Sequence, residues 1–387
     1  MPTAESTLAP HPICILAAAI GFKRQWPCID GQPLSPCILW QGVGCINQEI
    51  VSIVVKSNSI IGYIPTEIGL LTSLSKLQFH NKIVSGTIPT SIGLLTSLKT
   101  LLLSSNNLHG VIPTSIEQLS SLELLDLHHN SLSGSLPQSV MRIRSVIYVN
   151  LASNRLTGVI PESLHHMSSI YSLNLAHNCF SGSLPSSISL MTSLESLMLH
   201  HNLLFGTLPD SIGRLTFLYE IDLSYNSLTG SIPASLGLIS PLHSLNLEYN
   251  HFTGTVPKSL CYTFNLININ VKNNLISCMD SCFGFSLLSN SLPSCTAKPT
   301  VKPTLKPKSE TFSPSNTPYK DTAAHPSKKP SVPTSKPSRR PHYVHRISRS
   351  PSFGPHRRTR RPPRPTILQK PVVSAAPISP TNTPHCT

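Results

Sequence analysis

The sequence predicts a solenoid of the α/β class, built of about ten stacked coils of 24 residues each across residues 50–276. Nine prolines, from Pro65 to Pro257, follow Ile, Leu or Val at a constant spacing of 24. A glycine stands three residues before each of these prolines, from Gly62 to Gly254. A coil of this size has only one apolar face and cannot bury it alone, so the coils must stack.

Each coil is expected to contain one short strand followed by an inward-turning asparagine. Alternating side chains such as Ile221, Asp222 and Leu223 predict a three-residue strand with two side chains facing the core. Seven residues before almost every proline, an asparagine amide can bond the backbone of its own and the next coil. We expect this structural ladder to comprise Asn58, Asn106, Asn130, Asn154, Asn178, Asn202, Asn226 and Asn250, with Asn274 closing the series.

The full repeat, L-x-x-L-x-L-x-x-N-x-L-x-G-x-I-P, resembles the plant-type leucine-rich repeat. One copy consists of Leu218, Ile221, Leu223, Asn226, Leu228, Gly230, Ile232 and Pro233. The resemblance implies a right-handed horseshoe with a parallel sheet on its concave side and 3₁₀ turns on its convex side. Ten strands would give a concave face of roughly 45 Å. Members of this family are mostly extracellular.

The cysteines before the repeats resemble the N-terminal cap of the same family. The segment from Cys37 to Cys45 reads C-x-x-W-x-G-V-x-C, which implies a disulfide between these two cysteines. Residues 15–26 would supply the helix of this cap, which would occupy residues 1–49. If Cys14 belongs to the mature cap, Cys28 is its natural partner.

The cysteines after the repeats are expected to form a C-terminal cap over residues 277–296. Cys261, Cys278, Cys282 and Cys295 surround the last coil and allow three pairings, between which the sequence does not choose. Disulfides are favoured over zinc because a structural zinc site needs a second close Cys or His pair. Cys179 is expected to be a free thiol, and Cys386 to be free or cross-linked to a partner.

The last segment, residues 297–387, differs in composition from the rest of the chain. It holds 18 of the 30 lysines and arginines, two acidic residues and 19 of the 36 prolines. Such a composition predicts a disordered tail with polyproline II stretches. Its charge would suit an acidic wall polysaccharide, whereas nucleic acid is a weaker alternative because no RNA-binding fold accompanies it.

The cysteines and the apolar run near the start of the chain indicate where the protein is located. Paired cysteines indicate an oxidising compartment, and hence an extracellular or cell-wall protein. The apolar run at residues 12–22 is too short for a transmembrane helix. It is either part of a signal peptide or part of the cap helix, and a chain without a leader would be cytoplasmic.

The candidate binding residues are the variable positions that point outward from the concave strands. In coils four to nine these positions carry tyrosine, histidine and carboxylate side chains and neither lysine nor arginine. Tyrosine offers a large rigid contact area with a polar tip. The predicted ligand-binding residues are Asp126, His128, His129, Tyr148, Tyr171, His177, His200, His201, Tyr219, Asp222, Tyr225, Glu248 and Tyr249.

These features predict a non-catalytic binding protein without cofactor or metal. The sequence holds no nucleophile-elbow, phosphate-loop or kinase motif. The resemblance to receptor-like proteins implies a protein, a peptide or a wall glycan as ligand on the concave face. One alternative is an inhibitor of a secreted wall hydrolase, like the polygalacturonase inhibitors. Another is a structural wall or adhesion component that is tethered by its tail.

Overall fold

The structure is a computed structural model that describes residues 9–21, 26–55, 62–79 and 84–279, together with Cys295. The predictions for Asn58, Cys282, Cys386 and the segment 297–387 lie outside these residues and stay predictions.

One long sheet forms the concave face, with one strand from each coil. Its strands pair in parallel, except that β3 (Val43–Ile46) is antiparallel to β4 (Glu49–Val55). In the strand Glu220–Asp222 and just after it, Ile221 and Leu223 are fully buried while Asp222 points outward. In chain order the strands of this sheet are β3 (Val43–Ile46), β4 (Glu49–Val55), β6 (Lys76–Phe79), β8 (Thr100–Leu102), β10 (Leu124–Asp126), β12 (Tyr148–Asn150), β14 (Ser172–Asn174), β16 (Ser196–Met198), β18 (Glu220–Asp222), β20 (Ser244–Asn246) and β22 (Asn268–Asn270).

The opposite face of the solenoid consists of short 3₁₀ turns, as predicted. The repeat proline begins each turn because its ring fixes φ; Pro209, for example, has φ −69° and ψ 139°. The turns cover Thr66–Leu70, Thr90–Leu94, Thr114–Gln118, Glu162–His166, Ser186–Leu190, Asp210–Arg214, Ala234–Leu238 and Lys258–Tyr262; one coil has a short α-helix, α3 (Gln138–Met141), instead. Their buried Ile, Leu and Val side chains join the strand leucines in one continuous core. The predicted solenoid is therefore confirmed.

A second parallel sheet, which the sequence did not reveal, follows the ladder asparagines. Every strand of this sheet except the last contains the repeat glycine, and Gly182 has φ 81°, a conformation that residues with a Cβ seldom adopt. The strands are β5 (Gly62–Tyr63), β7 (Val84–Gly86), β9 (Asn107–Gly110), β11 (Ser131–Ser135), β13 (Arg155–Val159), β15 (Cys179–Gly182), β17 (Leu203–Thr207), β19 (Ser227–Ser231), β21 (His251–Thr255) and β23 (Leu275–Cys278). The glycine was expected only to permit a bend.

The asparagine ladder is present from Asn106 to Asn274, but its hydrogen bonds between coils reach the preceding coil, not the next one. Asn178 Nδ2 donates to the carbonyls of Leu151, Leu175 and Ala176, and its Oδ1 accepts from the N–H of Leu156. Two of these partners, Leu151 and Leu156, belong to the preceding coil. The prediction of bonds to the next coil is therefore wrong. The same four-bond pattern recurs at every described ladder asparagine, which ties each coil to the coil before it.

The residue before each described ladder asparagine adopts a left-handed backbone conformation. From Ser105 to Asn273, φ at this position lies between 50° and 55° in all eight coils. A non-glycine residue in this region costs free energy and persists only where its surroundings fix it. The four ladder bonds that follow provide that constraint, and the conformation fixes where these side chains project.

The N-terminal cap is built on a helix, two disulfides and two tryptophans. Helix α1 (Pro12–Ala19) lies earlier than the predicted 15–26, because Pro12 starts it and the buried face ends at Ile20. Trp26 and Trp40 are buried and stacked, with ring centroids 5.5 Å apart. A short helix, α2 (Pro36–Leu39), and a small hairpin, β1 (Cys28–Ile29) with β2 (Gln32–Pro33), complete the cap.

The disulfides agree with the predicted caps, with one correction. Cys37 pairs with Cys45, Cys14 with Cys28, and Cys278 with Cys295, while Cys261 is also disulfide-bonded. The prediction that Cys179 is a free thiol is wrong, because Cys179 is also disulfide-bonded. In the described part of the chain, no helix has both the length and the apolar character that a bilayer crossing requires.

Candidate functional site

A row of four stacked aromatic rings runs along one edge of the concave sheet. His177, His201, Tyr225 and Tyr249 occupy equivalent positions in four consecutive coils, and we call them the ring row. Successive ring centroids are 4.3, 4.1 and 4.4 Å apart, with interplanar angles of 13°, 10° and 23°. The rings are thus stacked face to face along the solenoid.

The backbone accounts for this stacking. All four residues precede a ladder asparagine and share the left-handed conformation, so their side chains leave the coil in the same direction. Strands of neighbouring coils are about 4.8 Å apart, which is close to the separation of stacked rings. The ring faces are therefore covered by their neighbours, and the ring edges face outward. Tyr225 and Tyr249 remain 40% and 46% exposed.

A cluster of neutral histidines lies at one end of the ring row. The ring of His200 meets His177 edge-on at 5.0 Å and His201 at 5.8 Å. Burial, followed by repulsion from His201, His200 and His129, lowers the pKa of His177 to about 4. Burial also lowers the pKa of His200 and of His201, although the Asp222 carboxylate opposes it. These imidazoles are uncharged at neutral pH.

The Asp222 carboxylate is held in a polar network beside this cluster. Its Oδ1 accepts from the Ser224 N–H and hydroxyl at 2.9 and 2.6 Å, and its Oδ2 accepts from Asn246 Nδ2 at 3.1 Å. His200 Nδ1 lies 3.6 Å from Oδ2. Burial and the Asp222 charge raise the pKa of the adjacent Glu220. Two carboxylates are thus fixed side by side on the concave face.

A second polar cluster lies four coils earlier, at Asp126. Its carboxylate contacts the ring of His128 at 2.5 Å, and the His128 and His129 rings meet edge-on at 5.2 Å. Burial, followed by repulsion from His128, lowers the pKa of His129. Burial and the Asp126 charge raise the pKa of Tyr148 to about 12.

The opposite edge of the sheet carries a less regular set of aromatic residues. Tyr219 stacks on His243 at 4.7 Å, and Tyr148 is tilted against Tyr171 at 6.2 Å. Tyr171 and Tyr219 are 40% and 47% exposed. We call the part of the concave face between these residues and the ring row the channel. Its floor holds small and polar side chains such as Asn174, Ala176 and Ser224.

The channel carries an excess of negative charge. Its carboxylates are Glu123, Asp126, Glu195, Glu220, Asp222 and Glu248, while its outward columns contain neither lysine nor arginine in coils four to nine. Asn270 and Asn273 donate to the Glu248 carboxylate at 2.8 and 3.4 Å. Among the described residues, no three His, Cys, Asp or Glu side chains are grouped so that they could hold a metal ion.

A groove of about 570 Å³ lies on the outer side of the ring row, where the concave strands pass into the second sheet. One wall is formed by His201, Tyr225, Tyr249 and Asn273, and the other by Leu203, His251 and Leu275; the ladder asparagines line its floor. We call it the lateral groove. The sequence did not reveal this second wall, although the residue after the ladder asparagine is Leu or His in three of these coils and Ser227 in the fourth.

Comparison with known families and structures agrees with this architecture. Two family models described as leucine-rich repeats match residues 96–151, 144–204, 217–238 and 241–263. The repeats of this chain are leucine-rich repeats. Comparison of this repeat protein with curated protein sequences gives no match.

Solved structures with the same repeat architecture include a plant receptor ectodomain and a second receptor. The ectodomain of the receptor kinase GASSHO1/SCHENGEN3 from Arabidopsis thaliana, solved in complex with CASPARIAN STRIP INTEGRITY FACTOR 2, is 32% identical, with a TM-score of 0.62 over 64% of this chain. The TDR receptor is 27% identical, with a TM-score of 0.51 over 58% of this chain. The present chain spans only 30% and 43% of the lengths of these two structures.

A plant ice-binding protein shares the same fold. It is 24% identical, has a TM-score of 0.52, and is matched over 74% of this chain and 97% of its own. At this identity, the likeness concerns the fold of the leucine-rich-repeat protein alone.

The predicted ligand-binding residues fall into separate groups in the structure. His177, His200, His201, Asp222, Tyr225 and Tyr249 are brought together, and Glu248 lies beside Tyr249 near the end of the channel. Asp126, His128 and His129 form another group, while Tyr148, Tyr171 and Tyr219 lie along the opposite edge. Their role in binding stays a prediction.

Proposed function

We propose that this leucine-rich-repeat protein is a secreted, non-catalytic binding protein that holds an extended peptide or protein segment in its concave channel. The observation that carries the proposal is the channel from Glu123 to Tyr249, which is bordered by aromatic and histidine side chains and lined by carboxylates. Aromatic residues that are rigid and half-exposed typically supply most of the energy of protein recognition.

The stacking of the ring row favours a peptide or protein over a wall glycan. A sugar ring packs its C–H face against the open face of an aromatic ring. In the ring row the faces between successive rings are already covered at 4.1–4.4 Å. The outward edges and hydroxyl tips suit directional contacts with a peptide backbone and its side chains.

The receptor ectodomain with the higher similarity supports a binding role. It was solved in complex with CASPARIAN STRIP INTEGRITY FACTOR 2, and its likeness to this chain has a TM-score of 0.62. Because the chain covers less than a third of that ectodomain, binding by the present protein is a proposal.

The disulfides and the likeness to plant extracellular ectodomains favour a secreted location. We further infer that the basic segment 297–387 attaches the protein to an acidic polysaccharide. Its net charge of +16 follows from 18 basic and two acidic residues, and such a charge attracts polyanions in a salt-dependent manner.

A displayed library of random twelve-residue peptides, selected on the immobilised full chain, tests the proposed function. We expect enriched peptides whose affinity falls about tenfold or more when Tyr219→Ala removes a half-exposed channel side chain. Tyr262→Ala is the matched control, because Tyr262 is 64% exposed on a 3₁₀ turn of the opposite face. Absence of enrichment, or an equal loss with both variants, would overturn the proposal.

A further inference from the structure

We propose that the lateral groove binds a basic, proline-rich peptide in the polyproline II conformation. This inference rests on the proposed function and names a ligand class for one edge of the same surface. The occupant is a separate peptide segment with lysine or arginine among its prolines.

The groove is open, elongated and partly apolar. It runs along the solenoid from Asn178 to Leu275. Leu203 and Leu275 on its outer wall are 49% and 66% exposed, and Tyr225 and Tyr249 face them from the ring row. Exposed leucines opposite tyrosines form an aromatic-lined slot of the kind that proline-rich segments occupy.

The floor of the groove favours a backbone that lacks N–H groups. Each of the five ladder asparagines that line it makes four hydrogen bonds to the solenoid backbone, as Asn226 does with Leu199, Leu204, Leu223 and Ser224. Their amide oxygens and the carbonyls that they contact are therefore already engaged. An ordinary peptide finds few free acceptors for its N–H groups on this floor, whereas proline has no N–H to satisfy.

The ring row supplies the complementary groups. Ring edges carry partial positive charge, and the Tyr249 hydroxyl, to which the Tyr225 hydroxyl is hydrogen-bonded, can donate outward. A polyproline II segment has no internal hydrogen bonds, so all its carbonyl oxygens remain available as acceptors. The wall of edges and hydroxyls thus matches the acceptors that a proline-rich backbone presents.

The two repeats are also commensurate. Three residues of polyproline II advance about 9.3 Å, and two coils of the solenoid advance about 9.6 Å. A three-residue sequence repeat therefore places equivalent side chains opposite every second coil, for example opposite Tyr249 and His201, which both line the groove.

The charge beside the groove selects a basic peptide. Asn273, which lines the groove, donates to the Glu248 carboxylate, and Asp222, Glu220 and Glu195 follow in the two preceding coils. Lys272 is the single lysine on the outward positions of these coils and the next one, so the local charge is negative. A lysine or arginine between prolines would meet this charge at the channel side of the ring row.

Three synthetic peptides test the proposal on the full chain by fluorescence anisotropy. The first is acetylated (Lys-Pro-Pro)4 amide, which combines charge with the polyproline II conformation. The second, (Lys-Gly-Gly)4, keeps the charge in a flexible chain, and the third, (Gln-Pro-Pro)4, keeps the conformation without the charge. We expect (Lys-Pro-Pro)4 to bind at least about tenfold more tightly than either control peptide.

Variants locate the binding site. Leu203→Gln should weaken (Lys-Pro-Pro)4 about tenfold, because it replaces an exposed leucine that belongs to the groove wall and not to the channel. Leu190→Gln is the matched control, since Leu190 is 52% exposed on a 3₁₀ turn. Glu248→Gln should weaken (Lys-Pro-Pro)4 and leave (Gln-Pro-Pro)4 unchanged.

The outcomes separate this inference from the proposed function. Equal binding of (Lys-Pro-Pro)4 and (Lys-Gly-Gly)4, no binding of (Lys-Pro-Pro)4, or equal effects of Leu203→Gln and Leu190→Gln would overturn the groove assignment. If library peptides still lose affinity with Tyr219→Ala but not with Leu203→Gln, the channel function stands and the inference fails alone. If the library yields no binding peptide, the proposed function itself fails.

Discussion

Asn154 offers the sharpest test of the ladder that joins the coils. It is 3% exposed, and its Oδ1 accepts from the N–H of Leu132 in the preceding coil at 3.0 Å. Its Nδ2 donates to the carbonyls of Leu127 and Leu151 at 3.0 Å and of Ala152 at 3.3 Å. The consequence of removing this amide follows from which of these groups keeps another partner.

The three carbonyls keep a donor in the Asn154→Ala variant. Leu127 O also accepts from Asn130, Leu151 O from Asn178, and Ala152 O from the His129 N–H. Only the buried N–H of Leu132 loses its partner, which costs about 1–3 kcal/mol. The small cavity left by the amide adds about 1 kcal/mol. We therefore expect a loss of about 2–4 kcal/mol in the free energy of unfolding.

Asn154→Asp distinguishes the donor role from the acceptor role. The carboxylate still accepts from Leu132, but it faces carbonyl oxygens where the amide donated. The charged form is disfavoured, so the pKa of this carboxyl in the folded state is expected to lie above its unfolded value of about 3.9. Relative to the wild type, the variant should be most stable below that value and lose stability as the pH rises through the folded pKa.

Urea unfolding monitored by circular dichroism, with the disulfides intact, measures these differences. Asn107→Ala is the matched control, because Asn107 is exposed just after a ladder asparagine, and its effect should stay within about 0.5 kcal/mol. An Asn154→Ala variant that is no less stable than Asn107→Ala would refute the ladder reasoning.

Three further perturbations test the core, the cap and the histidine cluster. Leu175→Ala should cost about 2–5 kcal/mol, because Leu175 is fully buried and leaves a cavity; the exposed Leu190→Ala should cost less than about 0.5 kcal/mol, and similar urea midpoints for the two would contradict the packing. Replacing both Cys37 and Cys45 by Ser opens a loop with a sequence separation of 8 and should cost about 2–3 kcal/mol; an unchanged midpoint would argue against a structural cap. The pKa of His177 is about 4 in the folded chain. Between about pH 6.5 and 4, His177 is therefore protonated in the unfolded chain and neutral in the folded chain. Stability from this group should therefore decline as the pH falls through that window, and His177→Gln should reduce the decline; an NMR titration of His177 with a midpoint near 6.5 would contradict the burial.

The period of the repeat made the main architecture predictable. Proline, glycine and asparagine at fixed offsets define the strand, the turn and the ladder, because each residue type is required by one backbone conformation or one set of buried hydrogen bonds. The Cys37–Cys45 disulfide was implied by the resemblance of the segment around Trp40 to a known cap. These features depend on local sequence, and the structure reproduces them.

Other features depend on contacts between coils, which local patterns do not encode. The second sheet arises because Gly182 and its equivalents allow the segment after the ladder to pair with the next coil. The disulfide at Cys179 could not be inferred from a position where the repeat accepts many residues. The stacking of His201 on Tyr225 requires a left-handed backbone at both residues, and neither histidine nor tyrosine predicts that conformation from sequence.

The sequence predicted which side chains face outward at the candidate site, but not how these side chains contact one another. Outward positions such as Asp222 and Tyr225 follow from strand alternation. The polar network that fixes Asp222, and the lateral groove beside Leu203, become visible only when the coils are stacked.

Photo-cross-linking tests the central claim, that the concave channel is the ligand-binding surface, most directly. A library-selected peptide carrying a benzoylphenylalanine is bound to the full chain, irradiated, and located by peptide mass mapping. We predict cross-links to residues within 123–129, 147–153, 171–177, 195–201, 219–225 and 243–249, and loss of these cross-links with an excess of unlabelled peptide. Competed cross-links confined to the 3₁₀ turns, such as Ser186–Leu190 and Ala234–Leu238, would contradict the account.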